Sequence, residues 1–159
     1  MDGNIAIKEK QNRPTITETE ISALLKNVNE RCAVLVALVA GTGLRIGQAL
    51  ALRTADFDPD CYVLHVKRSV WHRCEQPPKT PNAIRLVDVP ELLAQVLCHY
   101  IKGRKGHLFT TRAGQLLDSR NVLDVLQRAG RRGGYHAFRR FRFAVLRKAE
   151  YRTTSSNCG

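Results

Sequence analysis

Gly41-Thr42-Gly43-Leu44-Arg45-Ile46-Gly47-Gln48-Ala49-Leu50-Ala51-Leu52-Arg53 is the stretch on which the reading of this chain turns. Arg31 to Ala40, just before it, is apolar nearly all round and reads as a helix buried on most sides. The glycines then permit a tight turn and close backbone approach, after which a second, short helix opens. Such a turn exposes unpaired backbone N–H groups at the positive end of a helix dipole, which favours a phosphate nearby. Arg45 stands beside that opening, and its planar fork can take two phosphate oxygens in parallel where a lysine offers a point charge. Taken singly, a surface arginine near a helix cap is the ordinary reading of the same residue.

Toward the amino terminus, residues 1–14 are polar and aperiodic, a lead-in expected to fray. Thr17 followed by Glu20 forms a capping-box pattern ahead of Ile21, Leu24, Leu25 and Val28, so a helix starts there. Toward the carboxyl terminus, Tyr62-Val-Leu-His-Val and Ile84-Arg-Leu-Val-Asp-Val are short β-branched runs that read as antiparallel strands. The loop between them holds Pro77, Pro78, Lys79, Thr80, Pro81 and Asn82. Pro90 suits the first turn of a further helix, and Asp118 can cap one carrying Val122, Leu123, Val125 and Leu126. Gly133-Gly134 precedes a last helical pattern with Phe138, Phe141, Val145 and Ala149 as its inward stripe. The expectation is a mainly α fold with a small antiparallel β-sheet, one domain over residues 15–150, and a polar tail at 151–159.

Composition limits the function classes. With 26 Lys and Arg against 14 Asp and Glu, the chain carries a formal charge of +12, a field that attracts polyanions. Nucleic acid is a better fit than a membrane surface, because no long basic amphipathic helix with aromatic anchors is present; a merely soluble basic protein is the plain alternative. Five scattered cysteines, odd in number, argue against a disulfide framework and fit a reducing cytoplasm. The spacing of Cys61, His65, His72 and Cys74 is too irregular for an ordinary zinc site, so no metal is expected. The longest apolar run, Cys32 to Ala40, is far short of the ~20 residues that span a bilayer. No secretory leader is visible at the first residues, and a cytoplasmic location is expected.

His136-Ala-Phe-Arg139 sets an imidazole and a guanidinium three residues apart, on one helix face and able to converge on a small anion. A solvated basic face is the competing reading, since Arg140, Arg142, Arg147 and Lys148 decorate the same segment. Lys79 could equally be a bare surface charge. Their order is more telling than any member: arginine at a glycine turn, lysine in a strand-to-strand loop, then His-x-x-Arg on a late helix.

In that order, and in the stretches Thr17–Ile21, Gly41–Arg53, Asp56–Asp58, Lys79–Pro81, Arg85–Pro90, Leu108–Phe109 and His136–Arg139, the chain resembles the tyrosine recombinases, the phage-integrase-like family, from about Thr15 to about Ala149. The resemblance implies that family's catalytic-domain fold and its chemistry, in which a tyrosine cleaves one DNA strand and leaves a 3′-phosphotyrosine and a free 5′-hydroxyl. Neither metal nor nucleotide cofactor is implied, and the implied partners are double-stranded DNA and other recombinase subunits. By the same resemblance Arg45 and Arg139 grip the non-bridging phosphate oxygens. Lys79 protonates the departing 5′-oxygen, and His136 hydrogen-bonds the phosphate or shuttles the nucleophile's proton. A non-catalytic DNA-binding module and a type IB topoisomerase fragment remain as alternatives.

Two departures from the family pattern stand out. Where many members have a carboxylate three residues after the first arginine, able to hold its guanidinium, this chain has Gln48. Beyond His-x-x-Arg, the second His or Trp and the tyrosine that the resemblance calls for are not found. Tyr151 lies twelve residues past Arg139, roughly 18 Å along a continuous helix. Tyr135 is expected to point off the His136–Arg139 face, and Tyr62 and Tyr100 to be packing residues. This polypeptide alone is therefore expected not to cleave DNA, and the lack of the family's amino-terminal clamp domain to weaken its binding.

Overall fold

Thr17 Oγ1 accepts the Glu20 N–H at 3.2 Å while Glu20 Oε2 accepts the Thr17 N–H at 2.7 Å, and this reciprocal cap opens helix α1, Glu18–Lys26. The computed structural model describes residues 16–130 and 134–142. The expected lead-in and tail, Tyr151, and the stripe positions Val145 and Ala149 lie outside those residues.

Helix α2, Glu30–Thr42, starts where Asn29 Oδ1 accepts the Cys32 N–H at 2.9 Å. It buries Cys32, Val34, Leu35, Val36, Leu38, Val39 and Ala40, and packs against α1 and against the helices Ile46–Leu50 and Glu91–Ile101, which is why its sequence is apolar on nearly every side. It runs two residues further than its apolar run, through Gly41, and stops at Gly43, whose φ of +73° is left-handed and whose N–H returns to Val39 O at 2.9 Å. Helix α3 is short, Ile46–Leu50, and is followed by a 3-10 turn at Thr54–Asp56.

The expected strands pair as expected. Strands β1 (Phe57–Asp58), β2 (Val63–Val66) and β5 (Arg85–Asp88) form an antiparallel sheet in the order β1-β2-β5, with Val63 opposite Asp88 and Val66 opposite Arg85. The connection between β2 and β5 is more than a loop. It contains a second, two-stranded sheet, β3 (Ser69–Trp71) with β4 (Cys74–Gln76). The two central residues of that hairpin, His72 and Arg73, have φ of 48° and 63°, the positive values a type I′ turn demands. Asn and Gly normally supply them, so no turn signal is visible in the sequence. The His72 ring packs edge-on against Trp71 with centroids 4.6 Å apart.

Helix α4, Glu91–Ile101, has Pro90 as its N-cap, one position ahead of the expected first turn, and Pro90 O accepts the Ala94 N–H at 2.8 Å. Helix α5, Ser119–Arg128, is capped by Asp118, whose carboxylate accepts the Arg120 N–H at 2.8 Å. Residues 136–142 are helical and form α6. Ala137 and Phe138 of α6 join the core with Leu35, Leu38, Leu44, Leu50, Phe109 and Leu126, and this burial fixes which side of α6 faces outward.

Two acidic groups knit the segments around β3 and β4. Asp56 is the single buried charged residue among the described ones, accepting the Arg53 N–H at 2.9 Å and pairing with Arg68 and, at 3.9 Å, with Lys67. Glu75 of β4 takes Arg53 Nη2 on both oxygens at 3.1 and 3.0 Å, His107 Nε2 at 2.8 Å and Arg68 Nε at 3.5 Å. Burial works against ionising Glu75, yet the hydrogen bonds from His107 and Arg53 and the charges of Arg53 and Arg68 hold its carboxyl below the usual range.

Candidate functional site

The turn between α2 and α3 organises three arginines that are far apart in sequence. Gly43 leaves its carbonyl free of the helix ladder, and Arg139 Nε of α6 donates to that oxygen at 2.7 Å. Arg45, two residues on, is the N-cap of α3, with its backbone N–H given to Gln48 Oε1 at 3.2 Å and its side chain exposed. The same Gln48 oxygen accepts Arg85 Nη2 from the first residue of β5 at 3.3 Å. Gly43, Arg45 and Gln48 thus hold Arg139, Arg45 and Arg85 along one short segment.

Electrostatics agree with this grouping. Partial burial lowers the pKa of Arg139 from the ordinary arginine value, and the neighbouring charges of Arg45 and Arg85 lower it further. A guanidinium so placed keeps its charge, so the site is cationic. Among the described residues no carboxylate comes within 4.0 Å of these three arginines; the acidic partners serve Arg53, Lys67, Arg68, Arg104 and His107 instead. Arg139 commits Nε to the backbone, which fixes the plane of its fork and leaves its terminal nitrogens for an anion.

Gly47 matters for a different reason than turn formation. A Cβ placed there would meet Ser69 Oγ at 2.7 Å and the Val70 carbonyl at 2.8 Å, so glycine is what lets β3 lie against α3. At the start of α3, a helix of five residues, Gln48 Oε1 takes the Arg45 N–H.

Of the four residues singled out from sequence, Arg45 and Arg139 are brought together. His136 is exposed one turn before Arg139 on α6, as its spacing implies. Lys79 is exposed in the segment between β4 and the 3-10 turn at Pro81–Ala83, and makes no hydrogen bond or ion pair within the described residues. Gln48 does not hold the Arg45 guanidinium, as a carboxylate was expected to in its place; it holds the Arg45 backbone and the guanidinium of Arg85. Arg85 was not among the four. A third arginine just past the lysine-bearing loop was the one available signal, and only the β2–β5 pairing brings it to α3.

Two of the described tyrosines, Tyr100 and Tyr135, are otherwise engaged. Tyr135 donates its hydroxyl to Ser119 O, and burial, more than the neighbouring Cys32, Asp118 and Asp124, raises its pKa well beyond the phenol range. Tyr100 donates to Leu108 O at 3.1 Å, lies against Phe109 with centroids 5.9 Å apart, and carries Arg104 over its ring at 4.2 Å. Tyr62 is half-buried, with a left-handed φ of 55°. Among the described residues no group of three His, Cys, Asp or Glu side chains could hold a metal ion, and no helix is long and apolar enough to cross a membrane.

Comparison with known proteins bears on this arrangement. The family model described as Phage integrase family matches residues 14–152. A curated protein, "Tyrosine recombinase XerC-like" of Caldanaerobacter subterraneus subsp. tengcongensis, is 29% identical over 165 residues, covering 77% of this chain and 42% of its own length. Among solved structures, the Tn1549 transposon integrase in complex with a circular intermediate DNA superposes with a TM-score of 0.74 at 18% identity, covering 89% of this chain and 55% of that one. XerA recombinase gives 0.69 at 22% identity, covering 89% and 52%, and the integrase from mycobacterium phage Brujita 0.67 at 17%, covering 90% and 47%. The chain therefore has the fold of recombinase catalytic domains and spans about half the length, or less, of the proteins it matches.

Proposed function

The chain belongs to the phage integrase family, and from that premise we propose that it binds double-stranded DNA and positions one phosphodiester for tyrosine-mediated strand cleavage and rejoining in site-specific recombination. The observation that carries the reading is the 2.7 Å bond from Arg139 Nε to Gly43 O, which sets Arg139 beside Arg45 across most of the chain. Arg45 and Arg139 take the two non-bridging oxygens and offset the charge that builds in the transition state. His136, one turn from Arg139, hydrogen-bonds the same phosphate or moves the nucleophile's proton, and Lys79 delivers a proton to the departing 5′-oxygen. That a relative of the same fold is described in complex with DNA supports the choice of partner; other recombinase subunits are further partners in this reading.

In this reading neither Tyr100 nor Tyr135 is the nucleophile. The hydroxyls of Tyr100 and Tyr135 are given to backbone carbonyls, which favours the second reading that these 159 residues by themselves grip DNA without cutting it. The test is a duplex with a 5′-bridging phosphorothiolate at the candidate cleavage position, whose sulfur leaves but does not return. Salt-sensitive duplex binding that weakens in Arg139→Ala is expected, with no covalent adduct on Tyr62, Tyr100, Tyr135 or Tyr151. Binding indifferent to salt and to Arg139 would end the proposal, and an adduct on Tyr151 or Tyr135 would end the second reading.

A further inference from the structure

We propose that Arg85 is a third guanidinium of the phosphate clamp and that Gln48 is its positioning residue, a neutral tether that orients Arg85 without cancelling its charge. The inference rests on the reading of the site as a DNA-phosphate clamp and adds to it a binding residue and the residue that sets its place.

Geometry provides the first argument. One amide oxygen, Gln48 Oε1, accepts the Arg45 N–H at 3.2 Å and Arg85 Nη2 at 3.3 Å, so the start of α3 and the start of β5 are fastened at one point. Arg85 is otherwise free to turn on an exposed strand end, where a long side chain loses entropy on being held. The amide restricts that motion through one nitrogen and leaves the remaining donors of the fork open. Arg85 is also close enough for its charge to act on Arg139, which places all three cations around one site.

Charge provides the second. A carboxylate at position 48 would pair with Arg85 and neutralise it, as Glu75 does for Arg53 elsewhere in the molecule. With glutamine there, three cations face one another with no acidic partner among the described residues, an arrangement that repels itself until an anion arrives. The ligand chemistry this fits is a run of nucleic-acid phosphates, the scissile one and a neighbour, rather than a single monoanion.

The experiment measures duplex-DNA affinity across a salt series for the full 159-residue chain and for Arg85→Ala, Arg85→Lys and Gln48→Glu, with Arg104→Ala as a control on the surface arginine that stacks on Tyr100. Each lost phosphate contact should lower the slope of log K against log salt by about 0.9. Arg85→Ala and Gln48→Glu are expected each to lose about that much, Arg85→Lys to keep the slope with weaker binding, and Arg104→Ala to change neither. A folded Arg85→Ala with the wild-type slope would overturn the inference while leaving the phosphate clamp of Arg45 and Arg139 standing. Should Arg85→Ala fail to fold, Gln48→Glu decides alone, because it retains both side-chain lengths: an unchanged slope there sinks the proposal. Absence of salt-dependent binding in the unaltered chain would instead remove the functional reading itself.

Discussion

Arg139 Nε lies 2.7 Å from the carbonyl oxygen of Gly43, a side chain of the last described helix bonded to the residue that ends the second. The bond commits Nε and leaves the two terminal nitrogens for an end-on bidentate grip. Replacing Arg139 by Ala should therefore reduce DNA affinity uniformly across sequences, with a salt slope smaller by about 0.9, because phosphate contacts position the protein without reading bases. Arg139→Lys keeps a charge but has no Nε donor for Gly43, so it should recover the slope and only part of the affinity. Fluorescence anisotropy on two unrelated duplexes separates these outcomes.

Gly43 occupies a backbone region that glycine enters without the penalty of a β-carbon. Its φ is +73°, and an added Cβ would sit 3.4 Å from Arg142 Cγ. Gly43→Ala should destabilise the fold by about 1–2 kcal/mol, the usual penalty for a β-carbon in the left-handed region. The same change should weaken DNA binding by moving the carbonyl that holds Arg139. Chemical denaturation gives the first quantity and binding at fixed salt the second; a loss of stability with unchanged binding would separate the turn from the clamp.

Glu75 makes the region around the β3–β4 hairpin sensitive to acid. Its folded pKa is lowered, so its stabilisation is complete above the ordinary carboxylate value of about 4.3 and is lost as pH falls through the lower folded value. Its facing groups are Arg53, Arg68 and His107, and Glu75→Gln should cost about 1 kcal/mol near neutrality, modest because the pairs are partly solvated. Thermal midpoints of the two proteins should converge as pH drops toward 3. Parallel curves over the whole range would show that the carboxylate's charge is not what holds β4.

Tyr135 behaves oppositely with pH. Its folded pKa is raised, so the stability it lends is fully present below the phenol's unfolded value of about 10 and declines as pH rises above it. Tyr135→Phe removes the bond to Ser119 O and should cost about 1 kcal/mol while leaving DNA affinity and salt slope as they were. A fall in DNA binding in Tyr135→Phe would mean that the hydroxyl serves the site beyond its bond to Ser119 O.

Much of the fold was legible because local chemistry and tertiary placement agree. Thr17 with Glu20, Asp118, the all-apolar face of α2 and the β-branched runs at 63–66 and 85–88 each specify their element without help from distant residues. The β3–β4 hairpin was not legible, since His72 and Arg73 adopt positive φ that their side chains do not advertise, and packing of β3 over Gly47 supplies what the turn residues do not. At the site, Arg45 and Arg139 could be picked out by spacing and order. Arg85 could not, because its approach to Gln48 is set by the pairing of β5 with β2, a relation between segments that no short pattern encodes.

The bond that ties the last described helix to the α2 terminus joins residues 96 positions apart. A nascent polypeptide emerging from the ribosome can fold α1, α2 and the sheets long before residue 139 is synthesised, and in that interval Arg45 has no companion from the far end. Full grip on a polyanion thus waits for that far segment, and a polypeptide that stops short of residue 139 has only half of the Arg45–Arg139 pair.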